Sequence, residues 1–457
     1  MEPAASSGLQ RRLGLFDITL LVMGSIIGTS IFITPQVIAR DLRSQTLLIA
    51  AWALGGVFAL CGSFSYAELA WRKPQVGGQY AYLRDAYHPA VAFLYGWCAL
   101  LITQTGGMAS VAMIFARYFR ELTGSTVDLR IIVTVAIAIL SFANCLGVRT
   151  GSTVQDLLML AKIGGIGTLI LCGLFLAPGR WWQTTAVPSG AGWNIATDFG
   201  SAMVLILFGY GGWQYATLVS GEVRDPKRNL PRGFIFGIIG VVILYMGVNL
   251  ACIRALGPDL AKSPNPASAA MRAALGARGA TLIALAIAIS AIGYLSQATL
   301  TTPRLYYAMA LDGLFFKRVG WLHPRTRAPI VAILLQGGCA ILISFTGSFE
   351  EILRYVTSVE LVFGILTVCG LFIFRRRDAQ AEVNGAFKAP GHPVTTMFFV
   401  IMSAAVVLNA YYKRPVNSLI GAAIAMTGIP VYLFWRHRAR PERTRRELVN
   451  ESAESSN

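Results

Sequence analysis

Predominantly apolar windows of about twenty residues recur twelve times in this chain, near 15–38, 46–70, 90–116, 131–148, 154–177, 199–220, 233–255, 280–303, 329–346, 352–374, 394–412 and 416–435. A helix of that length crosses ~30 Å of hydrocarbon at ~1.5 Å per residue. An open sheet cannot do so without leaving backbone groups unpaired in lipid. The reading is therefore an all-α polytopic membrane protein with 12 transmembrane helices. Composition agrees, with 55% hydrophobic and only 13% charged residues among 457, against the ~25% charged of soluble domains.

The net charge of +17 by itself admits a nucleic-acid partner, but the basic residues avoid the interior of the apolar runs. Apart from Lys162, which lies inside one, 25 fall on the side holding both termini and 13 on the other. The positive-inside rule then puts both termini in the cytoplasm of an integral plasma (inner) membrane protein. The expected partners are lipid and a small molecule, with no nucleic acid. Arg11 and Arg12 precede an apolar run that continues to Ile38, too long for a cleaved signal.

Several function classes drop out. Seven cysteines stand singly without a C-x-x-C pair, and four histidines never cluster, which argues against a disulfide scaffold, a metal site or a cofactor. No G-x-x-x-x-G-K-[ST] loop and no large extramembrane stretch provide for an ATP-driven pump. The longest polar pieces are loops 71–89 and 256–279 and a C-terminal tail of about twenty residues, and no Ser/His/Asp constellation supports an enzyme.

Two spans carry what membrane helices normally avoid. The first reads Gly24-Ser-Ile-Ile-Gly28-Thr-Ser-Ile-Phe32, and the sixth Phe208-Gly-Tyr-Gly-Gly-Trp-Gln214. Each glycine lowers helix stability by ~1 kcal/mol relative to alanine, so Gly209, Gly211 and Gly212 predict local unwinding. An unwound segment leaves N–H and C=O groups that a polar ligand satisfies, and the following half-helix directs its positive end at a carboxylate. Helix packing through Gly24-x-x-x-Gly28 is the competing reading. Spans 1 and 6 are corresponding members of a five-plus-five arrangement, and paired interruptions at such positions point to a transporter's binding site.

These residues resemble the L-type amino acid transporter family of the amino acid–polyamine–organocation superfamily. The resemblance rests on Gly24 to Pro35, on Tyr210-Gly-Gly-Trp213 through Glu222, Pro226 and Arg228-Asn-Leu-Pro231, and on Tyr66-Ala-Glu68-Leu69 and Gly77-Gly-Gln-Tyr-Ala-Tyr82. Gln155-Asp156 with Lys162, and Pro303-Arg304-Leu305, add to it. It covers about Leu13 to Arg436. It implies a LeuT-like five-plus-five inverted repeat with unwound helices 1 and 6, divided as a cytoplasmic segment 1–14, a transporter domain 15–436 and a tail 437–457. Within the domain, 15–177 would be the first repeat, 199–374 the second, and 394–435 two extra helices.

The resemblance further implies transport of an amino acid by alternating access. Backbone groups of Ile27, Gly28, Thr29 and Ser30 would meet the substrate carboxylate, and those of Phe208, Gly209 and Gly211 would accept from its α-amino group. Phe208 would be an aromatic gate and Gln214 a polar pocket residue. Ser30 stands where glycine is usual, which bears on pocket size. The family's human members bind a glycoprotein subunit through a cysteine between spans 3 and 4. Residues 117–130 here contain none, so no disulfide-linked heavy subunit is expected.

Lys162 lies near the centre of span 5, where a lysine costs ~3 kcal/mol or more unless it faces protein or water. One reading is a helix lock on backbone carbonyls. The other, implied by the resemblance, is an ammonium that substitutes for sodium by bridging span 5 to the unwound part of span 1. Proton coupling through it stays open. Glu360, a third of the way into span 10, has no evident partner and reads as a protonated acid, a packing feature or part of a distal pocket. Gln104, Gly106 and Gly107 on span 3, and Tyr294, Ser296 and Gln297 on span 8, are further pocket candidates. Asp17, Glu68 and Asp156 sit near span ends and read as caps or interface pairs.

The leading reading is a sodium-independent transporter of zwitterionic L-amino acids, an exchanger. A proton-coupled symporter or an amine or polyamine carrier is the alternative within the class, and a non-transporting sensor or a polytopic enzyme the alternative outside it.

Overall fold

A computed structural model describes residues 11–179, 192–345, 349–378, 387–413 and 415–454. Residues 1–10 of the expected N-terminal segment and 455–457 of the expected tail lie outside the described residues. The described chain is helical throughout, with no strand beyond an isolated bridge between Leu13 and Val223. In order the helices are α1 Leu15–Ile26, α2 Thr34–Leu42, α3 Gln45–Arg72, α4 Gln79–Ala86, α5 Pro89–Cys98, α6 Gln104–Thr123, α7 Leu129–Cys145 and α8 Val148–Leu171. Then follow α9 Gly192–Tyr210, α10 Pro226–Leu256, α11 Pro266–Thr301, α12 Pro303–Leu311, α13 Ile330–Ser344, α14 Phe349–Arg377, α15 Val394–Lys413 and α16 Pro415–Glu454.

Among the described residues, eight helical stretches are long and apolar enough to cross a membrane, and the protein is an integral membrane protein. The helices beginning at 15, 129 and 330 are apolar but shorter, at 10–17 residues. Local signals set many boundaries. Pro89, Pro226, Pro266 and Pro303 open helices where a missing N–H costs nothing. Ser44 caps α3 by accepting from Leu47 N–H.

The polar segments between and after the spans also contain helix. Loop 256–279 is a short 3₁₀ turn followed by the start of α11, which bends at Gly276, where φ is +66°. Loop 71–89 contains α4, and the tail continues α16 to Glu454. Polar composition marks these segments as water-facing, but it does not forbid helix. Span 3 is also longer than its apolar window: α5 and α6 are joined without interruption by a π turn at Ala99–Thr103.

α10 lies at the centre of the packing, against α1 and α3. Gly233 and Gly237 face Ile18 and Val22 of α1, where a Cβ would come within 2.4–2.6 Å of their side chains. Gly55 and Gly56 of α3 abut Ile206 and Val242 in the same way. Small residues bring backbones together where lipid supplies no hydrophobic drive between helices. That packing fixes α1, α3, α9 and α10 around one point, which is where α1 and α9 break.

Candidate functional site

α1 ends at Ile26, and its chain turns through residues 27–29 and a 3₁₀ turn, Ser30–Phe32, before α2 begins at Thr34. Ile27 still donates its N–H to Met23 at 2.8 Å. Beyond it, no hydrogen-bond acceptor among the described residues takes the N–H of Gly28, Thr29 or Ser30. Thr29 is nevertheless buried. Three adjacent donors left without partners inside a membrane protein are able to receive an anion. The Ile27 N–H, unlike those three, is already committed to the helix.

The second break falls later than the glycine count predicts. α9 remains helical through Gly209 to Tyr210, and only Gly211 and Gly212 leave it before a 3₁₀ stretch from Trp213 to Glu222. Gly212 has φ +104°, and a Cβ there would lie 2.3 Å from the carbonyl oxygen of Ser25. Only glycine fits that backbone and that closeness. The glycine therefore does two things: it ends the helix and lets the two breaks touch.

A residue that sequence reasoning missed joins them. The hydroxyl of Tyr245 on α10 lies 3.1 Å from both the Ile26 and the Gly209 carbonyl oxygens. Its ring packs edge-on to Trp52, at 5.5 Å between centroids, and Trp52 also packs against Tyr210. Tyr245 and Asn249 stand four residues apart in an otherwise apolar span, and that spacing was the available signal.

Lys162 of α8 is buried and donates its ammonium to the Ile27 carbonyl oxygen at the first break. Gly293 of α11 leaves room for it, since a Cβ there would sit 3.1 Å from Lys162 Cε. One turn away along α11, Ser290 Oγ donates to the Gly28 carbonyl at 3.0 Å. The Tyr294 ring borders Gly28, and its hydroxyl faces Gly107 of α6. Thus α8 and α11 hold the carbonyls of the first break and leave its N–H groups free. Ser290 went unremarked in the sequence, although its i,i+4 spacing to Tyr294 marks one polar face.

Gly24 and Gly28 divide the two readings of their motif. Gly24 is a packing glycine, facing Gln155 and Met159 of α8, whereas Gly28 belongs to the break. At the second break the Phe208 carbonyl accepts from Gly211 N–H at 3.1 Å, so Phe208 and Gly209 each use one lone pair within the protein.

Gln214 is nearly buried and accepts from Gly212 N–H at 3.1 Å through Oε1, while its Nε2 donates to Glu360 Oε1. Tyr215 Oη donates to the same oxygen at 2.6 Å. Glu360 therefore has partners, both contributed by the segment after the break. Phe208 is half-buried and lines a cavity shared with Gly211, Gln214 and Glu360.

The remaining candidates are not drawn to the breaks by any described contact. Gln104 accepts from Thr302 at 2.7 Å, and Gln297 pairs with Thr301. Ser296 is fully buried, and its hydroxyl has no hydrogen-bond partner among the described residues. Of the acids near span ends, Asp17 accepts from Gly14 N–H at 2.6 Å as a helix cap. Glu68 receives Arg72, Arg375 and the Ala389 N–H, joining α3 to α14 and to the chain entering α15.

The family model described as amino acid permease matches residues 13–435. Among curated proteins, the chain is 27% identical over 457 residues to the large neutral amino acids transporter small subunit 2 of Homo sapiens, covering 96% of this chain and 84% of that one. It is 27% identical over 438 residues to the serine/threonine exchanger SteT of Bacillus subtilis (strain 168), covering 94% and 98%. The Asc-type amino acid transporter 1 of Homo sapiens is 27% identical over 455 residues, covering 95% and 85%.

Proposed function

The chain belongs to the amino acid permease family, and from that premise we propose that it is a sodium-independent exchanger of L-amino acids, recognised by their zwitterionic α-carboxylate and α-ammonium groups. One observation carries the reading: two helix breaks adjoin, one offering the free N–H groups of Gly28, Thr29 and Ser30, the other the carbonyls of Phe208, Gly209 and Gly211. Donors on one side and acceptors on the other match the two charged groups of an amino acid. The buried Lys162 ammonium on the Ile27 carbonyl supports sodium independence, because it supplies a fixed positive charge next to that break. The exchanger SteT matches over nearly its whole length, which supports exchange.

The proposal includes twelve spans in a LeuT-like five-plus-five inverted repeat, 15–177 and 199–374, with 394–435 as two extra helices. Both termini are cytoplasmic in a plasma (inner) membrane, supported by the distribution of basic residues. The chain works without a disulfide-linked second subunit, supported by the absence of cysteine from 117–130.

Proteoliposomes holding only this chain test the proposal. Labelled amino acid should enter in sodium-free medium only when the vesicles contain unlabelled amino acid. Unlabelled α-amino acids should compete, and their methyl esters and decarboxylated amines should not. Equal competition by the amines would instead identify an amine carrier, and a steep sodium requirement would contradict the role given to Lys162.

A further inference from the structure

We propose that the cavity beside the second break receives the positively charged end of the carried amino acid's side chain, so that the preferred substrates are L-amino acids with a basic side chain. This rests on the amino acid reading above and names the substrate class of that same site.

The cavity shares Phe208 and Gly211 with the second break, and Gly28, Thr29 and Ser30 do not line it, so we place the α-groups at the breaks and the side chain's end in the cavity. Its free volume is about 40 Å³, roughly three times the ~10–15 Å³ that one water needs. That admits the end of a side chain and not a whole amino acid.

Much of the wall is aromatic, with Gln79, Leu207 and Leu361 among the other lining residues. Phe58 and Phe399 stack at 4.5 Å between centroids, and Tyr66 meets Trp213 edge-on at 4.8 Å. Aromatic faces attract cations and offer nothing to an anion. Among the described residues, Glu360 supplies the one carboxyl group lining the cavity, and it is only partly covered by protein. Gln214 and Tyr215 both donate to Oε1, and none of the described residues donates to Oε2. Among the described residues, no lysine, arginine or histidine pairs with Glu360, and Lys162 is held at the Ile27 carbonyl. A membrane carboxylate that is oriented, partly open and without a counter-charge, in an aromatic box, is complementary to an ammonium or guanidinium.

Binding is measured on the purified full chain, folded and monodisperse, by displacement of a labelled amino acid. L-lysine and L-ornithine are compared with L-norleucine and L-norvaline, which keep the chain and lose its charge. The expected result is binding of the basic member at least ~10-fold tighter in the wild type, about the smallest coupling measured for close charge pairs. In Glu360→Gln that preference should fall to about 1 or reverse. Equal or tighter binding of the neutral members by the wild type overturns the proposal, as does an unchanged ratio in folded Glu360→Gln. The wild-type comparison decides even where the variant fails to fold. Binding of neutral members alone overturns this inference and leaves the amino acid reading standing, whereas binding of neither class by folded protein overturns both.

Discussion

Arg304 Nε lies 2.8 Å from Glu222 Oε1, and the two side chains are only 2% and 1% exposed. The backbone carbonyl of the same Glu222 accepts from the N–H groups of Arg12 and Leu13, at 2.8 and 3.0 Å. One residue thus ties the start of α12 to the chain entering α1. Arg304→Ala leaves a buried carboxylate unpaired, a loss of ~3–5 kcal/mol, and removing both charges together should recover much of it. Thermal unfolding of Arg304→Ala and of Arg304→Met/Glu222→Gln checks this, with tryptic cleavage at Arg11 and Arg12 reporting release of the N-terminal segment. A single variant that melts like the wild type would show that the pair holds nothing.

Lys162 is expected to matter for transport more than for folding. Lys162→Met keeps the stem and removes the charge-assisted bond to Ile27, worth ~1.5–3 kcal/mol. Exchange should slow about 10- to 100-fold with insertion retained. Rates in sodium and choline media, on wild type and variant, provide the measurement. Normal exchange by the variant would leave the lysine as a helix lock only.

Tyr245→Phe retains the ring against Trp52 and removes the hydroxyl from two carbonyls. Each carbonyl left unsatisfied costs ~1–3 kcal/mol. Because the bond joins both breaks, the loss should appear as slower exchange together with a lowered melting temperature. A variant with wild-type exchange would mean that Gly212 and Ser25 alone keep the breaks together.

Phe208 separates gating from packing. Truncating a core phenylalanine costs ~3–5 kcal/mol, but Phe208 is half-buried and faces the cavity. Phe208→Ala should bind substrate and translocate poorly, and Phe208→Trp should recover part of the rate. A sharp fall in the alanine variant's melting temperature, with normal exchange by its folded fraction, would make the residue packing.

The breaks were legible because their cause is local. Three glycines in four residues weaken a helix wherever it lies, and a lysine inside an apolar run demands a partner whatever the fold. The exact break at Gly211–Gly212 was not legible. Gly209 stays helical because Trp52 and Tyr245 support it from two other helices, and no property of residues 208–214 encodes that support. Glu360 was visible as an anomaly without a partner, since Gln214 and Tyr215 lie some 145 residues away.

By itself the sequence determined that this chain is a helical membrane protein, which residues interrupt its helices, and where its unusual charges lie. Those follow from hydrophobic run length, glycine's backbone freedom and the cost of charge in lipid, all properties of short segments. Tertiary structure alone decided which interruptions meet, which carbonyls Tyr245, Lys162 and Ser290 occupy, and which N–H groups remain for a ligand. Those depend on packing among α1, α3, α8, α9, α10 and α11, where small residues set how closely helices approach, and an approach between distant segments is not a property of either one.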